Sequence, residues 1–494
     1  MRLRVTFALT LVATAGCYEP TPAAGSYRCA ADNACPSSQH CTCGLCVSHD
    51  DQAACSFALT ASVGDGGVSE HEPFALHVQA LAADGKTAAS GFAGTVTLSS
   101  SWGDVRVAGT SATAVASVAL HAGQADTMVS LNRETLPPQT ATVSALFGDS
   151  KGASNKVSVT AEPFARAADA VVPPPSAAQP YGFADVLVAQ PDVQKTSSGW
   201  RMYFGGLTGG SYMFGAAQSS DGITFTPVAS TALFSAGGAA FDAKSIQSPS
   251  VFYTTTGVNL AFSGSDMLVN GVESLGLATS ADGVSPFALS GSGAPILAPT
   301  DCGYCDKGVD FPAVIADPAA VVTDGGAPSA WLMFFSATST GTNGVDIVNI
   351  GRASSSDGLH FTPEPAPLLT GELGGETVLA APRVLVDGSV FKMWYSYATF
   401  GALAAPCSAT INIGYATSDD GFYWIRSPAN PQMPMGGDGW DGDITAFLVG
   451  SVVPTDGGDA QNGITLYYST WRSTNTIGGL SSCLPNGIGR ATRR

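Results

Sequence analysis

Carboxylates set beside aromatic rings are the residues of this sequence best suited to chemistry. They stand at Phe241-Asp242, at Tyr304 with Asp306 and Asp310, at Glu376, and at Trp440-Asp441 between Asp438 and Asp443. Carboxyl groups crowded into one cleft have their pKa values driven apart, leaving one ionised and one protonated near neutral pH. Such a pair can cleave a glycosidic bond, and flat rings beside it can stack on sugar faces. Asp242, Asp310 and Glu376 are therefore the candidate catalytic residues, with Arg383, Trp440, Asp441, Phe241 and Tyr304 as candidate substrate-binding residues. The competing reading is that these acids cap strands and solvate loops.

Other chemistries fit the residues less well. His360 is the one histidine in 181–494 and follows an Asp-Gly turn, which argues against a Ser-His-Asp triad or a His-rich metal site. Asp438-x-x-Asp441-x-Asp443 can offer oxygen ligands to Ca2+, but a solvated Gly-rich loop is the stronger reading, and no cofactor or metal is expected. The chain carries 21 Lys+Arg against 39 Asp+Glu, a net charge of −18, which excludes nucleic acid as a partner because phosphate neutralisation needs clustered cations.

A phrase repeated four times must position the acids. It reads Gly-Ala-Ala-Gln-Ser-Ser-Asp-Gly at 215–222 and recurs at 276–283, 351–358 and 414–421, with a truncated copy at Ile488-Gly-Arg-Ala-Thr492. Ahead of each full copy lie an x-Pro-x-Val strand, as in Gln190-Pro-Asp-Val193, Ser248-Pro-Ser-Val251, Phe311-Pro-Ala-Val314 and Ala381-Pro-Arg-Val384, and then an aromatic strand, as in Trp200-Arg-Met-Tyr-Phe204. The fifth unit, beginning at Ala446–Val453, lacks the Pro. Five units of four strands predict an all-β, five-bladed β-propeller over 181–494. Its Asp-Gly turns belong on one face, where Asp accepts backbone amides and Gly supplies positive φ. The candidate acids belong on the opposite face. Tyr181–Val188 is expected to pair with Gly489–Thr492 and close the ring.

The segments before the propeller read as address, spacer and linker. Residues 1–16 look like a lipoprotein signal peptide, with Cys17 as the lipidated residue; an ordinary secretory leader is the alternative. Eleven cysteines less Cys17 leave ten that can pair. Residues 17–55 are a Cys-rich module expected to hold three disulfides rather than zinc. Residues 56–162 predict an immunoglobulin-like β-sandwich of about seven strands, and 163–180 a Pro/Ala linker. Cys302 and Cys305 are expected to form a local disulfide, and Cys407 to pair with Cys483. The protein is thus expected to be exported and lipid-anchored at the bacterial outer membrane or cell surface, meeting the membrane through that anchor alone.

The order of motifs in 181–494 resembles the five-bladed glycoside hydrolase superfamily of arabinanases, β-xylosidases, levansucrases and invertases, and Gly91–Ser100 resembles bacterial immunoglobulin-like adhesin modules. The resemblance implies a carbohydrate partner and acid catalysis by Asp and Glu. The superfamily's acids, however, fall on Gln190, on Ser250, and on Ala380 and Ala381 here. Two functions follow as expectations: a glycosidase using other paired carboxylates, or a non-catalytic carbohydrate-binding or adhesion protein on the same scaffold.

Overall fold

The computed structural model describes residues 29, 35–36, 38–43, 45–48 and 54–493, apart from 64–67, 70–72, 102–103, 109–114, 133–138, 149, 161–163, 176–180, 268–270, 292, 321–327, 342–345, 372–375, 388–389, 399–409, 428–429, 434–439, 442–443, 456–462, 473–475, 478–479 and 482–486. Among the described residues there are strands and no helix. The chain divides into two bodies, residues 1–133 with 139–160, and 134–138 with 161–494.

In the N-terminal body, a hairpin of Gln39–Thr42 and Leu45–Ser48 is stapled by the disulfides Cys29–Cys41, Cys35–Cys46 and Cys43–Cys55. The six cysteines expected to pair do so. Beyond it, one four-stranded sheet runs Ser56–Ser62, Phe74–Leu81, Gln124–Asn132, Asp104–Val107, and another runs Ser150–Ala153, Val143–Phe147, Gly94–Ser100, Ser117–Leu120. Alternate residues point inward: Phe74, Leu76, Val78 and Ala80 are buried, as are Val96 and Leu98, and all join one core. That period of two is what a sheet with one solvated face requires.

The C-terminal body repeats one antiparallel pattern five times. Repeat I contains Leu187–Thr196, Gly199–Thr208, Ser211–Ser219 and Thr226–Pro227; repeat II contains Ser245–Thr254, Gly257–Ser265, Ser274–Ser280 and Ala288–Leu289. Repeats III and IV begin with Gly308–Ala316 and Val378–Asp387, and repeat V pairs Ile444–Pro454, Ile464–Arg472 and Ile488–Arg493 in that order.

Each x-Pro pair sits on a β-bulge. The register slips between Ala189 and Asp192, Gln247 and Ser250, Asp310 and Ala313, and Ala380 and Arg383, because Pro has no N–H for the ladder. The residue before each Pro turns left-handed, with φ of 56° at Gln190, 55° at Ser248, 52° at Phe311 and 51° at Ala381. That conformation costs on the order of 1–3 kcal/mol in a non-glycine residue. A hydrogen bond from the same residue's N–H to the neighbouring repeat offsets part of it. The acceptor is Ser263 Oγ for Phe311 (3.0 Å), Ser336 Oγ for Ala381 (3.1 Å) and Ser469 Oγ for Gln190 (2.7 Å); in repeat V, Val449, which precedes Gly450 rather than Pro, donates likewise to Ser396 Oγ (2.9 Å). Repeat I has Gly205 at the serine's place, and Gln190 Oε1 takes over by accepting from Ser248 N at 2.9 Å. These bonds link I to II, II to III, III to IV, IV to V, and V back to I.

The glycine that opens each repeated phrase has an equally local cause. It lies opposite the second strand's aromatic, as Phe204 faces Gly215, Phe262 faces Gly276, Phe335 faces Gly351, Tyr395 faces Gly414 and Tyr468 faces Gly489. A Cβ on Gly351 would stand 2.6 Å from the Phe335 ring, so the ring can lie flat only over a glycine. The Ser-x-Asp-Gly turns also behave as the sequence indicates. Asp221 Oδ1 accepts from the amides of Thr224 and Ile223, and these bonds, with Ser219, hold its carboxyl down at about 2.

One expectation is corrected. The strand beside Ile488–Arg493 is Ala165–Arg166, with Val172 bridging Ile488; Tyr181–Val188 does not fill that place. Part of the stretch expected to be a linker therefore belongs to repeat V. Tyr181 and Phe183 instead pack on Phe204, at centroid distances of 5.0 and 5.5 Å, and Phe183 lies over Gly215. Burying two rings in repeat I outweighs pairing that segment at a sheet edge.

Candidate functional site

The sequence-derived candidates separate into three environments. The rings Phe241, Tyr304 and Trp440 form the first. Each stacks on the second-strand aromatic of its own repeat, Phe241 on Phe262 (6.0 Å), Tyr304 on Phe335 (6.5 Å) and Trp440 on Tyr468 (6.5 Å). In repeat I, Phe183 covers Phe204 at a tilt of 45° rather than stacking on it. These rings are parts of the repeat cores, and one face of each is already covered.

The second environment is a clamp found in repeats IV and V, where the second-strand aromatic is Tyr rather than Phe. Tyr395 Oη donates to Glu376 Oε2 at 2.7 Å, Arg426 Nε donates to the same oxygen at 2.8 Å, and Asn430 Nδ2 donates to Glu376 Oε1 at 3.0 Å. Tyr468 Oη donates to Asp441 Oδ2 at 2.6 Å, while Arg166 approaches Asp441 Oδ1 at 3.3 Å. Burial and the adjacent carboxylate push both tyrosine hydroxyls up. Glu376 and Asp441 thus have both oxygens engaged by their own repeats. Asp242 is also enclosed, with no exposed surface; Ala239 N donates to its Oδ1 at 2.5 Å, and burial raises its carboxyl. Asp242 and Glu376 are not brought to Asp310.

The third environment lies where the first strands meet. Asp310 accepts from Ser263 Oγ and from Phe311 N, the latter at 2.6 Å, and shares a hydrogen bond with Glu273. Burial raises the Glu273 carboxyl well above its ordinary range, and the Asp310 charge raises it further. Of the two, Glu273 is the one whose protonated, donating form this environment favours. Sequence reading passed over Glu273, yet a signal exists: three residues before the phrase glycine stand Tyr212, Val348 and Ile411 in the other full copies, and an acid in this one. Arg383 lies near this pair and near Asp192. Burial lowers its guanidinium to about 10, and both carboxylates oppose that shift. Asp192 is itself raised by burial, against the pull of Arg383.

A carboxyl and a carboxylate joined by one hydrogen bond can hold and release a proton. They stand closer than the roughly 5–5.5 Å of a retaining glycosidase pair or the roughly 6.5–9.5 Å of an inverting pair. Gln190, one of the positions that resemblance would make acidic, has its carboxamide tied to Ser248 N and to Gln247. Ser250, another, accepts from Val314 N at 2.9 Å. Cys302 and Cys305 are bonded to each other as expected. Cys17, Cys407, Cys483, Asp438 and Asp443 lie outside the described residues.

No protein-family model matches the chain, and no curated protein matches it. Among solved structures, that of BT0996 in an RGII complex is similar at 16% identity, covering 67% of this chain and 92% of its own length with a TM-score of 0.51. A second, described as a glycoside hydrolase, is similar at 15% identity over 67% and 92%, also with a TM-score of 0.51. A thermostable family-43 glycoside hydrolase is similar at 17% identity over 62% and 88%, with a TM-score of 0.46. At these identities the likeness is one of all-β fold.

Proposed function

We propose that the C-terminal body is a five-bladed propeller that binds carbohydrate without hydrolysing it, presented by an exported, lipid-anchored chain with the immunoglobulin-like module as spacer. One observation carries this reading: the positions that resemblance would make catalytic hold Gln190, Ser250, Ala380 and Ala381, and Gln190, Ser250 and Ala381 are tied into hydrogen bonds between repeats. The Glu273–Asp310 pair then serves as a sugar-contacting donor and acceptor on the face opposite the Asp-Gly turns. The raised carboxyl of Glu273 beside Asp310 favours a second reading, a glycosidase in which Glu273 donates the proton.

Calorimetry of the purified chain with arabinan, xylan, fructan and mannan oligosaccharides, with chromatography of the same mixtures, separates the two. Binding without product supports the adhesin-like protein. Turnover lost in Glu273→Gln supports the glycosidase, and neither binding nor turnover overturns both.

A further inference from the structure

The first strands of all five repeats continue past their bulges and line a cavity of about 440 Å³. It lies toward the Asp-Gly turns, on the far side of the bulges from Glu273. Ligand pockets are commonly about 300–1,000 Å³. The residues that follow the Pro, or Gly450 in repeat V, form its floor: Asp192, Ser250, Ala313, Arg383 and Ser451. Ser250 and Ser451 accept the amides of Val314 and Val193 in the next repeat, and Asp192 does the same for Val251 at 2.7 Å. A hydroxyl suffices for that bond, so the charge on Asp192 is surplus to the scaffold.

Arg383 is the other charge in the floor. Its Nε donates to Gly450 O and its Nη1 to Pro312 O and Pro382 O, while its Nη2 has no hydrogen-bond partner among the described residues. Both bonds accepted by Asp192, from Val251 N and Gln194 Nε2, go to Oδ2, which leaves Oδ1 without one. The two residues are 5% and 6% exposed, and no direct ion pair joins them. Each of these mostly buried residues thus keeps one polar atom that meets no protein partner and stays accessible from the cavity.

We propose that this cavity is a second binding site, taking one neutral polyhydroxylated ring of monosaccharide size. In the floor the opposed charges of Asp192 and Arg383 cancel, and the exposed Lys195 on the wall has its Nζ held over the Trp200 ring at 4.4 Å, so an ionic ligand finds no net charge between the two floor residues. A hydroxyl is both donor and acceptor, so adjacent ring hydroxyls satisfy Oδ1 and Nη2 together. Above the floor the wall is apolar, formed by Val193, Val251, Val314, Val384 and Val452, and it suits the C–H face of a sugar ring.

The test is saturation-transfer NMR and calorimetry on the full chain, using L-arabinose, D-xylose, D-mannose, D-fructose and D-galactose, with D-galacturonate and D-glucosamine as charged probes. Ala316, exposed on the cavity wall, is replaced in Ala316→Trp to fill the space, and Gly303→Ala, where a Cβ meets nothing within 4 Å, is the control; thermal melts confirm that each variant folds. At least one neutral sugar is expected to bind, about tenfold more weakly in Ala316→Trp and unchanged in Gly303→Ala. No binding by any neutral sugar, binding indifferent to Ala316→Trp, or preference for a charged probe overturns the proposal.

Discussion

Gly450→Ala tests whether the fifth repeat closes on the first. Gly450 occupies the place that Pro takes in the other four repeats, and the register of its strand slips between Val449 and Ser451. A Cβ there would stand 2.4 Å from Pro191 Cγ, 2.5 Å from Pro191 Cδ and 2.8 Å from the Pro191 carbonyl oxygen. Carbon atoms rest about 3.5–4.0 Å apart, so the seam would have to open by roughly 1 Å. The proline ring cannot rotate away. Its neighbours are held too, Gln190 N by Ser469 and Val193 N by Ser451, and Arg383 Nε is bonded to Gly450 O. Overpacking of this kind costs about 1–3 kcal/mol, and two rigid partners place it near the upper end. At roughly 2–4 °C per kcal/mol, the melting temperature should fall by several degrees. Gly303→Ala, where a Cβ meets nothing within 4 Å, is the matched control and should stay within about 0.5 kcal/mol. Urea titrations followed by tryptophan fluorescence give both values. Equal stabilities for the two variants would show that Pro191 does not rest on Gly450, and the ring argument would fail with it.

Tyr395→Phe removes a donor from the half-buried Glu376 carboxylate and should destabilise by about 1.5–3 kcal/mol in denaturant titration, whereas the same loss at a neutral acceptor would be smaller. Asp221→Ala should cost about 0.5–1.5 kcal/mol in thermal melts and leave oligosaccharide binding unchanged, since its oxygens serve only the local turn. Glu273 has a folded pKa raised above its unfolded value, so its contribution to stability is complete below about 4.5 and is lost as pH rises through the folded value. Glu273→Gln keeps a donor toward Asp310 but does not titrate. The stability difference between wild type and this variant should therefore shift against wild type as pH rises, and a flat difference across pH 4–9 would refute the protonated assignment.

The repeats were legible because each recurring element has a local cause. Asp-Gly turns need an acceptor and a positive φ, x-Pro needs a bulge, and the phrase glycine needs room for a ring. All of these act within a few residues or one strand pairing, where sequence spacing is a good guide. The candidate site was less legible because side-chain partnership depends on which repeat faces which. Phe241, Tyr304 and Trp440 have the composition of sugar platforms, but each covers a strand aromatic in its own repeat. Glu376 and Asp441 stand where a cleft acid would stand, yet a single hydroxyl on Tyr395 and Tyr468 turns that place into a clamp. The closing strand was misplaced for a related reason. Tyr181 and Phe183 cover Phe204 in repeat I, as Phe241, Tyr304 and Trp440 cover the strand aromatics of repeats II, III and V, so the edge fell to Ala165–Arg166.

Departures from fivefold regularity distinguish scaffold from function. Some are compensated: Gly205 removes a serine and Gln190 supplies the missing acceptor, while Gly450 removes a proline and Pro191 of the next repeat fills the space. Such pairs preserve the structure that the other repeats already have, and they require no ligand. Asp192 and Arg383 differ in kind. Each sits where Ser or Ala suffices in a neighbouring repeat, each is buried at the cost of its charge, and neither satisfies the other directly. Stability alone would be served better by small neutral residues at both positions, because a buried charge pair seldom outweighs its desolvation. Two opposed charges at one level of the cavity, each with an atom that meets no protein partner, are what the proposed sugar site would use.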